Sequence, residues 1–238
     1  MNKTVLIAGL AVIVLGVVVV PSLIDQTNSG AGALFTVTGS GNYILDAPYP
    51  TVPEYLPIYQ TKEVDITTEK ASQLALSMGI KGNIQDIYPG LIEITDNSKN
   101  PPESIDIFTK SGSFRYSVPS KLSRTVSSQP LLPSYDEVKK IADKYLEERN
   151  LLRNDFKFDK VKVGDSQEKW RAGDTKPIAY YDVNLYVIYR RTINGIPATE
   201  SITVYVGENG EVVGLTYKAR AIEEKPFRDV RIIKPEEA

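Results

Sequence analysis

Residues Thr4 to Ile24 carry no charged side chain, and Val5 to Val20 is dense in Val, Leu and Ile. As a helix rising 1.5 Å per residue, a run of this length extends roughly 30 Å, the depth of a bilayer's hydrocarbon core. Its β-branched content is unusual for a soluble helix. In lipid, however, a lone segment has to satisfy its own backbone hydrogen bonds, and a helix does so. Lys3 and the amino terminus place positive charge before the run and Asp25 places negative charge after it, which orients the amino terminus toward the cytoplasm. Residues 1–25 are therefore read as a transmembrane anchor, with the bulk of the chain extracytoplasmic. The alternative is a secreted chain released by signal cleavage. Such a signal has an apolar region of about 7 to 15 residues closely followed by small ones. Ala31-Gly32-Ala33 supplies the small residues, but well beyond the run.

The chain has neither cysteine nor histidine. This excludes disulfides, cysteine-ligated metal or iron–sulfur sites, lipoprotein attachment, a Ser-His-Asp triad and a Cys-His dyad. An apolar content of 42% suffices for a packed core. Beyond Lys3, 27 basic and 30 acidic side chains leave a net charge of −3, and the pI of about 5.4 argues against nucleic acid as a partner.

Residues 26–58 read as a stalk. Ser29-Gly30-Ala31-Gly32 and Gly39-Ser40-Gly41 make its first part flexible, and Pro48, Pro50, Pro53 and Pro57 make its second part extended. A first module is expected over 59–118. There Thr67 caps a helix with apolar positions Ala71, Leu74, Ala75 and Met78, and Gly79 stops it. After a proline-bounded linker, 119–133, a second module over 134–222 starts with the Ser134–Glu137 capping box and a stripe of Val138, Ile141, Ala142 and Tyr145. The two caps are 67 residues apart, which suggests a tandem repeat. Residues 223–238 form a charged tail.

Strands follow each helix. Leu91 to Thr95, Ile105 to Phe108 and Phe114 to Val118 belong to the first module. In the second, Phe156 to Val163 precedes strands near 179–192, 200–206 and 212–219. The turn dipeptides Asn194-Gly195 and Asn209-Gly210 fold these last three into an antiparallel meander. The expected class is α+β, with each of two small modules packing one helix on its own antiparallel sheet.

In the second module, Tyr181-Asp182-Val183, the run Arg190-Arg191-Thr192-Ile193-Asn194-Gly195-Ile196-Pro197, Ile202 to Val206 and Asn209-Gly210-Glu211-Val212-Val213 follow the helix. Over residues 134–220 this resembles PepSY-type modules and the membrane-anchored YycH/YycI and YpeB proteins. The resemblance implies an extracytoplasmic module that binds or restrains another protein, such as a peptidase or a sensor kinase, without being an enzyme. The first module departs from the pattern, because it lacks an Asn-Gly-Ile-Pro segment.

No residue pattern points to a cofactor, a metal site or a catalytic centre. Without histidine, nucleophilic chemistry would fall to a carboxylate or a Ser-Lys pair, and Ser127, Ser128 and Ser201 have no lysine at a telling spacing. Asp155 and Asp159 read as solvated charge. Asp96-Asn97-Ser98-Lys99-Asn100 begins like a calcium loop, but Pro101 stands where glycine is needed and Ile107 where the bidentate glutamate is needed. The chain has fourteen tyrosines and one tryptophan. Large aromatics cost little rotamer entropy when they bind, so Trp170, Tyr186 and Tyr205, with Arg190 and Arg191 near them, are the candidate partner-binding residues. The expected function is a membrane-anchored binding or regulatory module whose partner is a peptidase, a sensor kinase or a second copy. A structural cell-surface subunit and a carboxylate or Ser-Lys hydrolase are the alternatives.

Overall fold

Two capped helices and the strands that follow them set the architecture of residues 53–233, which this computed structural model describes. The expected anchor and most of the expected stalk lie outside the described residues, as do residues 234–238. No helix among the described residues is long and apolar enough to cross a membrane.

The chain divides into two units. In the first, β1 (Tyr55–Ile58) pairs antiparallel with β12 (Arg228–Arg231), with Leu56 opposite Val230. Residues read as the end of the stalk and as part of the charged tail thus form one two-stranded ribbon.

The second unit runs from Tyr59 to Phe227. Helix α1 (Thr68–Ser77) starts where Thr67 Oγ1 accepts the Lys70 N–H, and Gly79 follows it with φ +80°, a left-handed conformation that costs glycine least. Helix α3 (Tyr135–Glu148) starts with a complete capping box: Ser134 Oγ accepts the Glu137 N–H, and Glu137 Oε2 accepts the Ser134 N–H at 2.9 Å. Each helix is followed by a four-stranded meander. After α1 come β2 (Asn83–Tyr88), β3 (Leu91–Asp96), β4 (Glu103–Phe108) and β5 (Phe114–Ser117). After α3 come β6 (Phe156–Val163), β9 (Leu185–Ile193), β10 (Ile196–Val206) and β11 (Val212–Lys218). Between β6 and β9 stands a separate two-stranded hairpin of β7 (Ser166–Lys169) and β8 (Ala179–Asp182). The short helix α2 (Pro119–Leu122) opens the linker.

The expected α+β class with two separate sheets is corrected here. The described chain is mostly β and 17% helical, and its meanders fuse into one eight-stranded antiparallel sheet of order β2-β3-β4-β5-β11-β10-β9-β6. The join is β5 against β11, the last strand of each meander, with Leu215 opposite Tyr116 and Tyr217 opposite Phe114. A four-stranded sheet ending in Phe114 and Tyr116 would leave both apolar side chains and backbone donors on an open edge. Pairing two such edges removes both costs.

The pairing also makes one continuous apolar floor. Ile84, Ile94, Ile105, Tyr116, Leu215, Val204, Val187 and Val161 stand in register across all eight strands. Ile92, Ile107, Phe114, Tyr217, Ile202, Tyr189 and Phe158 form a second row across seven of them. Ala71, Ala75 and Met78 with Val138, Ala142 and Leu146 cover this floor from the helix side.

A second correction concerns the strand expected near 179–192. It breaks between Asp182 and Leu185, and its first part swings away to pair with β7. The fully buried Asn184 makes the break. Its Nδ2 donates to Leu122 O at 3.0 Å, and its Oδ1 accepts the Asp165 N–H at 3.2 Å. A Cβ at Gly164 would collide with that Oδ1, so glycine is required beside it. The two Asn-Gly turns form as their sequence implies, with φ of 51° and 82° at Asn194-Gly195 and 59° and 78° at Asn209-Gly210.

Helix α3 is fixed to the sheet by a polar link within the apolar layer. Tyr189 Oη donates to Asp143 Oδ1 at 2.6 Å, and Asp143 Oδ2 accepts from Lys139 Nζ at 2.6 Å. Burial, together with the carboxylate, pushes the Tyr189 phenol far above its ordinary range, so it remains a donor at every physiological pH. Tyr189→Phe is expected to cost about 1–2 kcal/mol, the worth of one hydrogen bond to a charged acceptor, read as a lower urea midpoint with unchanged slope. A midpoint equal to that of the parent chain would show that the link adds nothing.

Candidate functional site

The β7–β8 hairpin has two unlike faces. Register sets Ser166 opposite Asp182, Glu168 opposite Tyr180 and Lys169 opposite Ala179. Strand alternation then places Glu168 and Tyr180 on one face and Gln167 and Tyr181 on the other. The Gln167 face is fastened to the linker: Gln167 Oε1 accepts the Val126 N–H at 2.9 Å, and its Nε2 donates to Arg124 O. Gln129 holds the base of the hairpin from the linker side. It accepts the Asp182 N–H at 3.1 Å and donates to Asp182 O at 3.0 Å.

On the opposite face three large side chains meet solvent. Trp170 is 52% exposed, Ile178 47% and Tyr180 64%. The Ile178 N–H donates to Lys169 O at 2.7 Å and extends the ladder by one step, so Trp170 and Ile178 continue the face that carries Tyr180. The Trp170 ring is not a free rotor, because its Nε1–H donates to Glu168 Oε2 at 3.0 Å. Three exposed apolar side chains, one of them tied by a hydrogen bond, thus share one face of a hairpin anchored from behind.

Trp170 alone among the sequence candidates stands on this face. Tyr186 and Tyr205 lie together elsewhere, as cross-strand partners on β9 and β10 with ring centroids 5.8 Å apart. Both are half-buried. Arg190 is on the same side of β9 as Tyr186, and its Nη2 donates to Asp159 Oδ2 at 3.1 Å. Arg191 points the other way and is only 3% exposed; its Nε donates to Asp155 Oδ2 at 2.8 Å and its Nη1 to Arg220 O at 2.7 Å. A guanidinium buried among its partners holds the fold and offers nothing to a docking protein. Sequence reasoning passed over Ile178 and noted Tyr180 only as a strand tyrosine on a face alternate to the apolar one. Their signal was the spacing of Trp170, Ile178 and Tyr180 around a turn-rich stretch, visible only once β8 is recognised as separate from β9.

The other chemistry weighed from sequence has a structural explanation. Asp155 is paired with Arg153 and Arg191, and Asp159 with Arg190. Ser127 and Ser128 line an open depression of about 240 Å³ with Arg124, Thr125, Val126, Pro130 and Glu208, a lining without lysine. Asp96 Oδ1 accepts from the Ser98 hydroxyl and Asp96 Oδ2 from the Lys81 N–H. These bonds hold its carboxyl below the usual range and use its oxygens within the turn. Among the described residues no grouping of acidic side chains has the arrangement of a metal site.

The two neighbouring arginines should separate in experiment. Arg191→Ala removes a buried guanidinium, deprives Asp155 of one partner and the Arg220 carbonyl of its donor, and is expected to destabilise by about 2–4 kcal/mol. Arg190→Ala, at a half-exposed pair, should cost under about 1 kcal/mol. Thermal unfolding of both variants checks the assignment, and equal shifts would refute it.

Compared with known proteins, the chain matches no family model, and no curated protein or solved structure is significantly similar to it, so the resemblance of residues 134–220 to PepSY-type modules rests on the quoted residues alone.

Proposed function

We propose that this chain is a membrane-anchored, extracytoplasmic, non-catalytic module that binds another protein through the exposed face of the β7–β8 hairpin. The observation that carries the reading is the exposed Trp170–Ile178–Tyr180 face, with the Trp170 ring tied to Glu168. Aromatic side chains held in position lose little entropy on binding, and such residues dominate the energetics of protein interfaces. A hairpin locked from behind by Gln167 and Gln129 presents them on a rigid support. The apolar run over 4–24 supplies the tether in this reading, and the partner is a membrane-associated peptidase or sensor kinase.

Assembly with a second copy is the runner-up. It is supported by β2, an outer strand of the sheet whose Ile87 and Tyr88 are exposed.

A photo-crosslinking amino acid in place of Tyr180, in the full chain in its native membrane, tests both. The proposal expects one dominant heterologous adduct, and Trp170→Ala should lower its yield about tenfold, as loss of an interface anchor does. Absence of any adduct overturns it. An adduct with the chain itself, accompanied by a dimer mass in light scattering, transfers support to assembly.

A further inference from the structure

The eight-stranded sheet has a second face, opposite the helices, and one half of it is cationic. Register places Lys157 of β6 opposite Arg190 of β9, Arg190 opposite Ser201 of β10, and Ser201 opposite Lys218 of β11. These four residues form one row across four adjacent strands. A second row runs Lys160, Ile188, Thr203, Thr216 and on to Arg115 of β5, and a third runs Lys162, Tyr186, Tyr205 and Gly214. Neighbouring positions in a row are about 4.8 Å apart.

On the four strands β6, β9, β10 and β11 this face therefore holds Lys157, Lys160, Lys162, Arg190 and Lys218. The acid that meets them is Asp159 at the β6 bulge, which pairs with Arg190 and reaches Lys160 at 3.9 Å. Among the described residues Lys157, Lys162 and Lys218 have no ion-pair partner. The chain as a whole is net negative at −2, so the cationic patch is a local concentration and not a reflection of composition. Acidic side chains of the same face gather on the other half, where Glu93 and Asp106 are cross-strand neighbours.

What lies between the cations narrows the ligand. Ser201, Thr203 and Thr216 provide hydroxyls along the rows. The two tyrosines stand at the end where the linker crosses: a Cβ at Gly214 would come within 3.3 Å of Tyr205 and 3.4 Å of Leu122. No aromatic ring stands among Lys157, Arg190, Ser201 and Lys218 for a nucleobase to stack on, and no exposed apolar wedge is there to enter a lipid layer. Cationic and hydroxyl-bearing across four adjacent strands, the surface matches an extended polymer that carries both carboxylates and hydroxyls.

We propose that the face of strands β6, β9, β10 and β11 turned away from the helices binds an acidic polysaccharide, with Lys157, Arg190 and Lys218 pairing to its carboxylates and Ser201, Thr203 and Thr216 to its hydroxyls. This site is separate from the hairpin, and its test does not depend on a protein partner.

The experiment measures binding of the full chain, in neutral detergent at low salt, to polygalacturonate, with dextran as the uncharged control. The parent chain is expected to bind polygalacturonate and not dextran, and to be released by salt. Lys157→Glu with Lys218→Glu should lower affinity by at least about tenfold, while Lys140→Glu with Lys144→Glu, the same charge change on exposed positions of α3, should stay within about twofold. Should the first double variant unfold, Lys157→Gln with Lys218→Gln takes its place, with a proportionately smaller loss. No binding by the parent chain overturns the proposal, as do equal losses in the two double variants. Binding to phosphatidylglycerol vesicles or to single-stranded oligothymidine as strong as to polygalacturonate, with the same dependence on Lys157 and Lys218, also overturns it.

Discussion

The pairing of β5 with β11 is the constraint on which the rest of the described unit depends. Each strand ends a meander, and each carries large apolar side chains on its helix-facing side. Phe114 and Tyr217 stack across the seam at 4.9 Å between ring centroids. Only with the seam closed do the apolar rows run without interruption beneath both helices, so that α1 and α3 share one core. An α-helix on four strands buries too little surface to stand well alone, and doubling the sheet raises the fraction buried. Two capped helices, each followed by a four-stranded meander, are thus joined through the last strands of those meanders.

Closing that seam obliges the chain to pass from one side of the sheet to the other between β5 and α3. The linker makes this crossing, and its contacts explain why the hairpin exists. Leu122 and Tyr205 both lie against Gly214 on the face opposite the helices, the Leu122 carbonyl engages Asn184, and Arg124, Val126 and Gln129 hold the hairpin by its base and one face. Asn184 interrupts a strand that would otherwise continue from Tyr181 to Tyr189. The freed segment becomes β8, and the face of the hairpin turned from the linker receives Trp170, Ile178 and Tyr180. An amide that satisfies the linker backbone is thus the cause of the exposed aromatic face.

Local chemistry was legible in the sequence wherever a short-range rule decides the outcome. Thr67, the Ser134–Glu137 box, Gly79 and both Asn-Gly turns act within four residues of themselves, and the structure uses each as its chemistry dictates. The fusion of the sheets was not legible, because alternation along Phe114–Ser117 states which side chains face a core and is silent on which strand lies next to them. The same holds for Arg191. A doublet of arginines reads as surface charge, yet alternation on β9 sends one to Asp159 in solvent and the other to Asp155 and Arg220 beneath the sheet. Tyr186 and Tyr205, candidates for partner binding by their residue type, are cross-strand neighbours on β9 and β10.

The lysines of β6 invite a simpler explanation than a ligand. Strand β6 is an outer strand, and alternate lysines with a bulge are what natural sheets use to discourage edge-to-edge association. That explanation covers Lys157, Lys160 and Lys162, and it also accounts for the bulge at Asp159. It does not extend inward. Arg190 is on the next strand, paired on both sides, and Lys218 ends the fourth strand, where it pairs with Ser201 one position beyond the last residue opposite β5. The other outer strand, β2, makes the contrast sharper, since it presents Ile87 and Tyr88 and only Asp86 as a charge. A rule that protected edges alone would have put lysine on β2 and left the interior strands neutral. The cations instead follow a row perpendicular to the strands, which is the direction along which an extended polymer would lie.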